Sequence, residues 1–161
     1  MLGNPEKRRT CVKYLVDAVR NGKIGVNEPL EAARNCTVFC LISQFGDASQ
    51  VELVHKEKQP DLTAKDILGF NAMHYAARGG NTEAFNYLKD FEDELDVDAF
   101  TNALQTPLML AVMSRNPETV TAVLEASARP SYQDVLGKTA MWHAQSTVSY
   151  THLRAHETFH D

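Results

Sequence analysis

Thr101-Asn102-Ala103-Leu104-Gln105-Thr106-Pro107-Leu108-Met109-Leu110-Ala111-Val112 is the stretch whose reading decides the architecture. It begins in turn chemistry and ends in helix chemistry. Thr106 suits a helix N-cap, because its hydroxyl can accept from an early backbone N–H. Pro107 suits the first helical turn, where its missing donor is an orphan in any case. Leu108, Ala111 and Val112 then recur at helical spacing and give the helix one apolar face.

The same plan appears elsewhere in the chain. Asp66-Ile67-Leu68-Gly69-Phe70-Asn71-Ala72-Met73-His74-Tyr75-Ala76-Ala77 starts 35 residues earlier, and Asp134-Val135-Leu136-Gly137-Lys138-Thr139-Ala140-Met141-Trp142-His143-Ala144 starts 33 residues later. A weaker copy, Thr37-Val38-Phe39-Cys40-Leu41-Ile42-Ser43-Gln44-Phe45-Gly46-Asp47, places Thr37 34 residues before Asn71 and Gly46 34 before Gly80. Val12 to Leu15, followed by Val26 and Asn27, reads as the tail of one further copy. In each Asp-x-x-Gly turn, glycine supplies a positive φ and aspartate bonds its own backbone. Small residues (Ala76, Ala77, Ala111, Ala144) permit close helix approach. Arg78-Gly79-Gly80-Asn81 ends the first helix of its copy, and a second is expected over 83–89 with Phe85 and Leu88 inward. Its counterpart is expected over 118–125, with Val120, Val123 and Leu124 inward and Pro117 near its start.

These residues resemble the ankyrin repeat, a unit of about 33 residues with a Thr-Pro-Leu-His-x-Ala signature. The copy at 101–112 has Thr106, Pro107, Leu108 and Ala111, with Met109 in place of the signature histidine. The copy at 66–77 keeps His74 and Ala76, and the copy at 134–144 keeps Thr139 and Ala144. Leu104 stands where the family has glycine. The resemblance spans roughly residues 32–145. It implies an all-α solenoid of stacked helix-turn-helix repeats with β-turn or hairpin fingers. Residues 1–31 are expected to form an N-terminal helix, a remnant or capping repeat. They are followed by a degenerate repeat at 32–65, repeats at 66–100 and 101–133, a truncated repeat at 134–146, and a polar His-rich tail at 147–161. With little to cover them, Met141 and Trp142 are expected to be exposed, and that end to fray.

The tail breaks the pattern. Apolar periodicity stops, and three of the chain's six histidines fall between 152 and 160. Residues 148–158 resemble a translated sequencing adapter, so the natural protein is expected to diverge near residue 146. The tail also contains His156-Glu157-Thr158-Phe159-His160, which fits the H-E-x-x-H zinc-hydrolase pattern. The motif has only three fixed letters. Its second histidine is penultimate, so almost no downstream chain is left to give a third ligand. A zinc hydrolase is therefore the remote alternative.

Composition narrows the function classes. Sixteen Lys+Arg against 21 Asp+Glu give a net charge of −5, which argues against a nucleic-acid partner. No apolar run approaches the roughly 20 residues that span a bilayer, so no membrane insertion is expected. Residues 1–9 are polar, without the apolar core of a secretory leader. Cys11, Cys36 and Cys40 are an odd number, too few for a disulfide scaffold, which points to a reducing, cytoplasmic setting. Cys36 and Cys40 can share a helix face as a ligand pair or serve as small core residues. The acidic run 90–98 reads as a solvated loop or a lure for a basic partner, and Lys7-Arg8-Arg9 as a solvated terminus or a basic arm. Phe70, Tyr75 and Met109 read as an exposed stripe or as packing between repeats.

The resemblance implies protein–protein recognition without catalysis and without a cofactor, by a monomeric adaptor or scaffold. The alternative is the ankyrin segment of a larger enzyme or channel. His74 is implied to be structural, bonding near its helix start. The family's variable contact positions fall on Ile67, Leu68, Phe70, Arg78 and Gly79 in one repeat. In the next they fall on Asn102, Ala103, Gln105, Met113 and Ser114. In the last they fall on Val135, Leu136 and Lys138.

Overall fold

Hydroxyl and amide side chains start the helices at one regular interval. In the computed structural model, which describes residues 4–148, Thr37, Asn71 and Thr106 cap α2 (Val38–Phe45), α4 (Ala72–Arg78) and α6 (Pro107–Ser114), accepting from the N–H of Cys40, His74 and Met109. Thr139 does the same for Trp142 at the start of α8 (140–148). Each cap is worth about 1 kcal/mol against alanine. The second helices are capped by Asp47, Asn81 and Asn116, which start α3 (Ala48–Lys58), α5 (Thr82–Leu88) and α7 (Pro117–Glu125).

The two asparagines also hold the stack together. While Oδ1 of Asn81 caps α5, its Nδ2 donates to the carbonyls of Ser43 and Gly46 in the preceding copy. Asn116 likewise sends Nδ2 to Gly80 O at 2.8 Å. One residue thus satisfies its own helix and the exposed end of the previous one.

The first helices α2, α4 and α6 pack in one row, and α3, α5 and α7 in a second. The N-terminal helix α1 (Pro5–Arg20) lies on α2 and α3. Ala76, Ala77 and Ala111 are fully buried between the rows, where any larger side chain would push the helices apart. Phe39, Phe85, Ile42 and Leu88 fill the space between copies. Val123 is inward as expected, but Leu124 is 46% exposed. It lies one position beyond Val123, about 100° round the helix, and so leaves the face that meets α5.

Between the helix pairs run the fingers. The first is a short antiparallel hairpin, β1 (Pro29–Leu30) with β2 (Cys36–Thr37), with the 3₁₀ turn Glu31–Ala33 between them. The others are turns closed by Asp66 N to Phe70 O, Thr101 N to Gln105 O and Asp134 N to Lys138 O. Each finger is tied to its neighbour by one backbone bond: Ile67 N to Arg34 O, Asn102 N to Leu68 O, and Val135 N to Ala103 O.

Leu104 takes the glycine's place without altering the turn. Its φ is +56°, beside +81° at Gly69 and +72° at Gly137. A left-handed leucine costs about 1–2 kcal/mol. The cost is tolerable because the residue is 45% exposed, so the turn does not have to fit the side chain into a packed interior. Gly69 is different, since a Cβ there would lie 2.8 Å from Asn102 N and 2.6 Å from its Oδ1. Gly69→Ala is expected to lower stability by about 2 kcal/mol or more, combining conformational strain with a broken finger contact. Leu104→Gly is expected to change it by less than about 1 kcal/mol, strain relief offsetting the added chain entropy. Urea unfolding of the two variants checks the contrast.

Among the described residues, nothing is stacked beyond the last unit. Trp142 is 42% exposed, whereas its equivalents Met109, His74 and Cys40 are at most 2% exposed. Met141 is 65% exposed, against 2% or less at Leu108, Met73 and Phe39. In a solenoid each unit is covered by the next, so these residues lack one neighbour's worth of burial. Amides of 139–146 are expected to exchange with solvent faster than those of α4 by at least about tenfold, for want of that nearest-neighbour term. Equal protection in a hydrogen-exchange experiment would contradict this.

Candidate protein-binding surface

Four fingers and the exposed sides of the first helices enclose a shallow groove of about 580 Å³. Leu68 and Phe70 come from one finger, Asn102, Ala103 and Gln105 from the next, and Val135 from the last. Arg78 reaches in from the end of α4, and Met113 from α6. Eight of the thirteen positions expected from the resemblance thus share one depression.

The remaining five lie outside it. Ile67 and Leu136 are exposed at finger tips, 58% and 72% accessible. Ser114 turns back to bond Ala111 O. Lys138 lies over the Trp142 ring with Nζ 3.7 Å from its centroid. Gly79 abuts α2, where a Cβ would meet Gln44 O at 2.5 Å. That makes Gly79 a packing position as much as an exposed one.

The groove also contains two residues absent from the expected set, Arg34 and Leu110. Arg34 sits one repeat before Leu68 in the degenerate copy, so extending the repeat spacing upstream would have found it. Leu110 is nearly buried yet forms part of the floor.

Phe70 organises the floor. It is only 7% exposed and packs against the rings of His74 and Tyr75. The guanidinium carbons of Arg34 and Arg78 lie 5.5 and 5.7 Å from its centroid, within cation–π range. Beneath it, Asp66 accepts from the N–H of Leu68 and Phe70 through Oδ1 and from the Tyr75 hydroxyl, at 2.5 Å, through Oδ2. Arg34 approaches the same Oδ2 at 3.8 Å and the Tyr75 hydroxyl at 3.4 Å. Burial, then the Asp66 contact, pushes the Tyr75 hydroxyl far above its usual pKa, so it remains a donor. The last finger repeats the arrangement with other chemistry: Asp134 accepts from Leu136 N and Lys138 N and meets His143 Nε2 at 2.9 Å. In the middle finger Thr101 and Leu110 take the two places, and no such side-chain pair is needed.

Phe70, Tyr75 and Met109 are therefore packing between repeats rather than an exposed stripe. His74 is structural as well. Its Nδ1 accepts from Asn71 N at 3.1 Å and its Nε2 faces Ala99 O at 2.8 Å, which fixes a neutral ring protonated at Nε2. Burial, against the smaller opposing pull of the Ala99 bond, lowers its pKa to about 4. Cys36 and Cys40 are both buried but do not share a helix, since Cys36 belongs to β2. Burial raises both thiols, Cys40 to about 11, so neither is a ready thiolate.

The acidic run is anchored rather than fully solvated. Leu95 is buried, Phe91 packs edge-on against His55 and at a tilt against Tyr87, and Asp98 accepts from Arg129 N. Lys7, Arg8 and Arg9 belong to α1. Among the described residues, no group of three or more His, Cys, Asp or Glu is placed to hold a metal ion. His156, Glu157 and His160 lie outside the described residues. No described helix is long and apolar enough to cross a membrane.

Paired helices in two rows, with turns bonded finger to finger, define a helical repeat solenoid. A family model for ankyrin repeats, in three copies, matches residues 32–134, more than half of the chain. The chain belongs to the ankyrin-repeat family. Repeats of this family are in general protein–protein interaction modules, and typically non-catalytic. No curated protein matches the chain.

Proposed function

We propose that this chain is a non-catalytic adaptor or scaffold module that receives a partner protein in the groove between fingers and first helices. The observation that carries the reading is the convergence of eight contact positions on one depression. Met113 and Leu68, 39% and 41% exposed, offer apolar area there, and Asn102 and Gln105 add polar groups beside it. Apolar anchors rimmed by polar groups are the usual anatomy of an interface. Phe70 braces this surface from below. Its truncation is expected to cost stability, so it is a poor probe of binding.

Affinity capture from native extract, read by quantitative mass spectrometry, tests the reading. Met113→Glu with Ala103→Glu places charge at the groove centre on exposed positions. Tyr14→Ala, at a 71% exposed site on α1, is the control. Proteins retained by the wild type and the control are expected to fall at least about tenfold with the double variant. An unchanged set would refute the groove as the binding face.

A further inference from the structure

The charge of this molecule is segregated, and the groove is on the cationic side. The chain carries −5 overall. The depressions around the loop after α5 are lined by Asp90, Glu92, Glu94, Asp96, Asp98 and Glu125, with Lys65 and Lys89 as the basic lining residues and Arg129 paired to Asp98 at 4.0 Å. The groove is lined by two arginines and no carboxylate.

The two arginines differ. Arg34 is half-committed, because the Asp66 carboxylate lies 3.8 Å away. The Asp66 side chain is itself fully buried and already accepts from two backbone N–H groups and a tyrosine. Its charge is therefore turned inward. Arg78 is exposed and has no ion-pair partner among the described residues. It lies over the Phe70 ring. The guanidinium carbon lies 5.7 Å from the ring centroid, and the guanidinium N–H donors make no hydrogen bond or ion pair among the described residues. A planar fork of this kind matches a carboxylate in two parallel hydrogen bonds. Around it lie the apolar side chains of Leu68, Leu110, Met113 and Val135.

We propose that the groove recognises a peptide segment of a partner protein in which an aspartate or glutamate stands beside a leucine, methionine or phenylalanine. The carboxylate meets Arg78, with Arg34 adding to the field, and the apolar neighbour packs on Met113 and Leu68. This rests on the groove being the binding face, and it adds the chemistry of what the groove binds. A basic segment is disfavoured there by like charge, and the acidic depressions near the α5 loop repel the same acidic partner, which restricts it to one face. An anionic lipid or nucleic acid would satisfy the arginines but would leave the apolar lining without a counterpart.

The test is selection of randomised 12-residue displayed peptides on the full chain, followed by fluorescence anisotropy of each enriched peptide made synthetically. Enriched sequences are expected to pair Asp or Glu with Leu, Met or Phe. Their affinity is expected to fall at least about tenfold with Arg78→Glu, less with Arg78→Lys, and several-fold as salt rises from about 50 to 300 mM. Arg78→Glu loses only the contact of an exposed side chain with the Phe70 ring, so its thermal midpoint is expected to stay within a few degrees of wild type. Enriched peptides that lack acidic residues but lose binding with Met113→Glu would overturn the acidic preference and leave the groove reading standing. Peptides insensitive to both Arg78→Glu and Met113→Glu would overturn both. Failure to enrich any peptide, or Arg78-dependent binding to phosphatidylserine vesicles without it, would overturn the peptide assignment.

Discussion

Asp66→Ala is expected to lower the unfolding free energy by about 3–5 kcal/mol. Four groups converge on this carboxylate: the N–H of Leu68 and of Phe70, the Tyr75 hydroxyl and the Arg34 guanidinium. Alanine leaves the buried Phe70 N–H and Tyr75 hydroxyl without their acceptor, at about 1–3 kcal/mol each, and the part-buried Leu68 N–H loses less. The Arg34 contact contributes less, because that side chain is 37% exposed and water can replace its partner. Asp66→Asn retains one acceptor oxygen and is expected to lose about half as much. Asp134→Ala removes the equivalent cluster from the last finger, which has no described unit stacked beyond it. Its effect on the main unfolding transition is expected to be smaller, near 1–2 kcal/mol, because stability in a solenoid is a sum of local terms. Urea unfolding followed by circular dichroism ranks the three variants. Asp134→Ala proving as harmful as Asp66→Ala would contradict the ordering.

Acidification is expected to destabilise the array through His74. The folded-state pKa is lowered to about 4 from a usual value of 6.5. The unfolded chain therefore binds this proton first, and stability falls wherever the unfolded state binds more protons. The contribution is complete above pH 6.5 and is lost as pH falls through 6.5 to about 4. At 1.36 kcal/mol per pKa unit it amounts to about 3 kcal/mol. His55, lowered by burial, and Asp134, lowered mainly by bonds to Lys138 N and to His143 against its own desolvation, act in the same direction. Some acid dependence therefore remains without His74. The discriminating variant is His74→Met, the residue that occupies the equivalent place as Met109. It is expected to be less stable at pH 7, because Asn71 N and Ala99 O lose their partners, but to have a distinctly shallower slope between pH 6.5 and 4. A variant slope equal to that of wild type would remove His74 as the cause.

Much of the fold was legible in the residues because its causes are local. Thr37, Asn71, Thr106 and Thr139 mark helix starts by one rule, and Asp66 and Asp134 mark turns by another. Repetition near 34 residues turned several weak signals into one architecture. Leu104 was the turn position that local chemistry describes least well, since an exposed leucine adopts a left-handed backbone there only because the bonds on either side of it hold the finger.

The groove was legible in part. Eight of the thirteen positions carried over from the resemblance line one depression, because they share a register in the repeat and the stack preserves that register. Arg34 was missed because its own copy is degenerate. Leu110 was missed because a floor residue has the pattern of core.

Local sequence thus established the elements, their order and their spacing: caps, turns and apolar faces act within a few residues of themselves. Stacking decided everything that depends on a neighbour one repeat away. It buried Phe70 and Tyr75, set Leu124 outside the helix interface, and gave Asn81 and Asn116 their second partners. It left Met141 and Trp142 uncovered, and it brought Arg34 and Arg78 from different copies onto one ring. Burial and charge proximity are sums over residues 30 to 40 positions distant, and a linear pattern contains them only once the path of the chain is known.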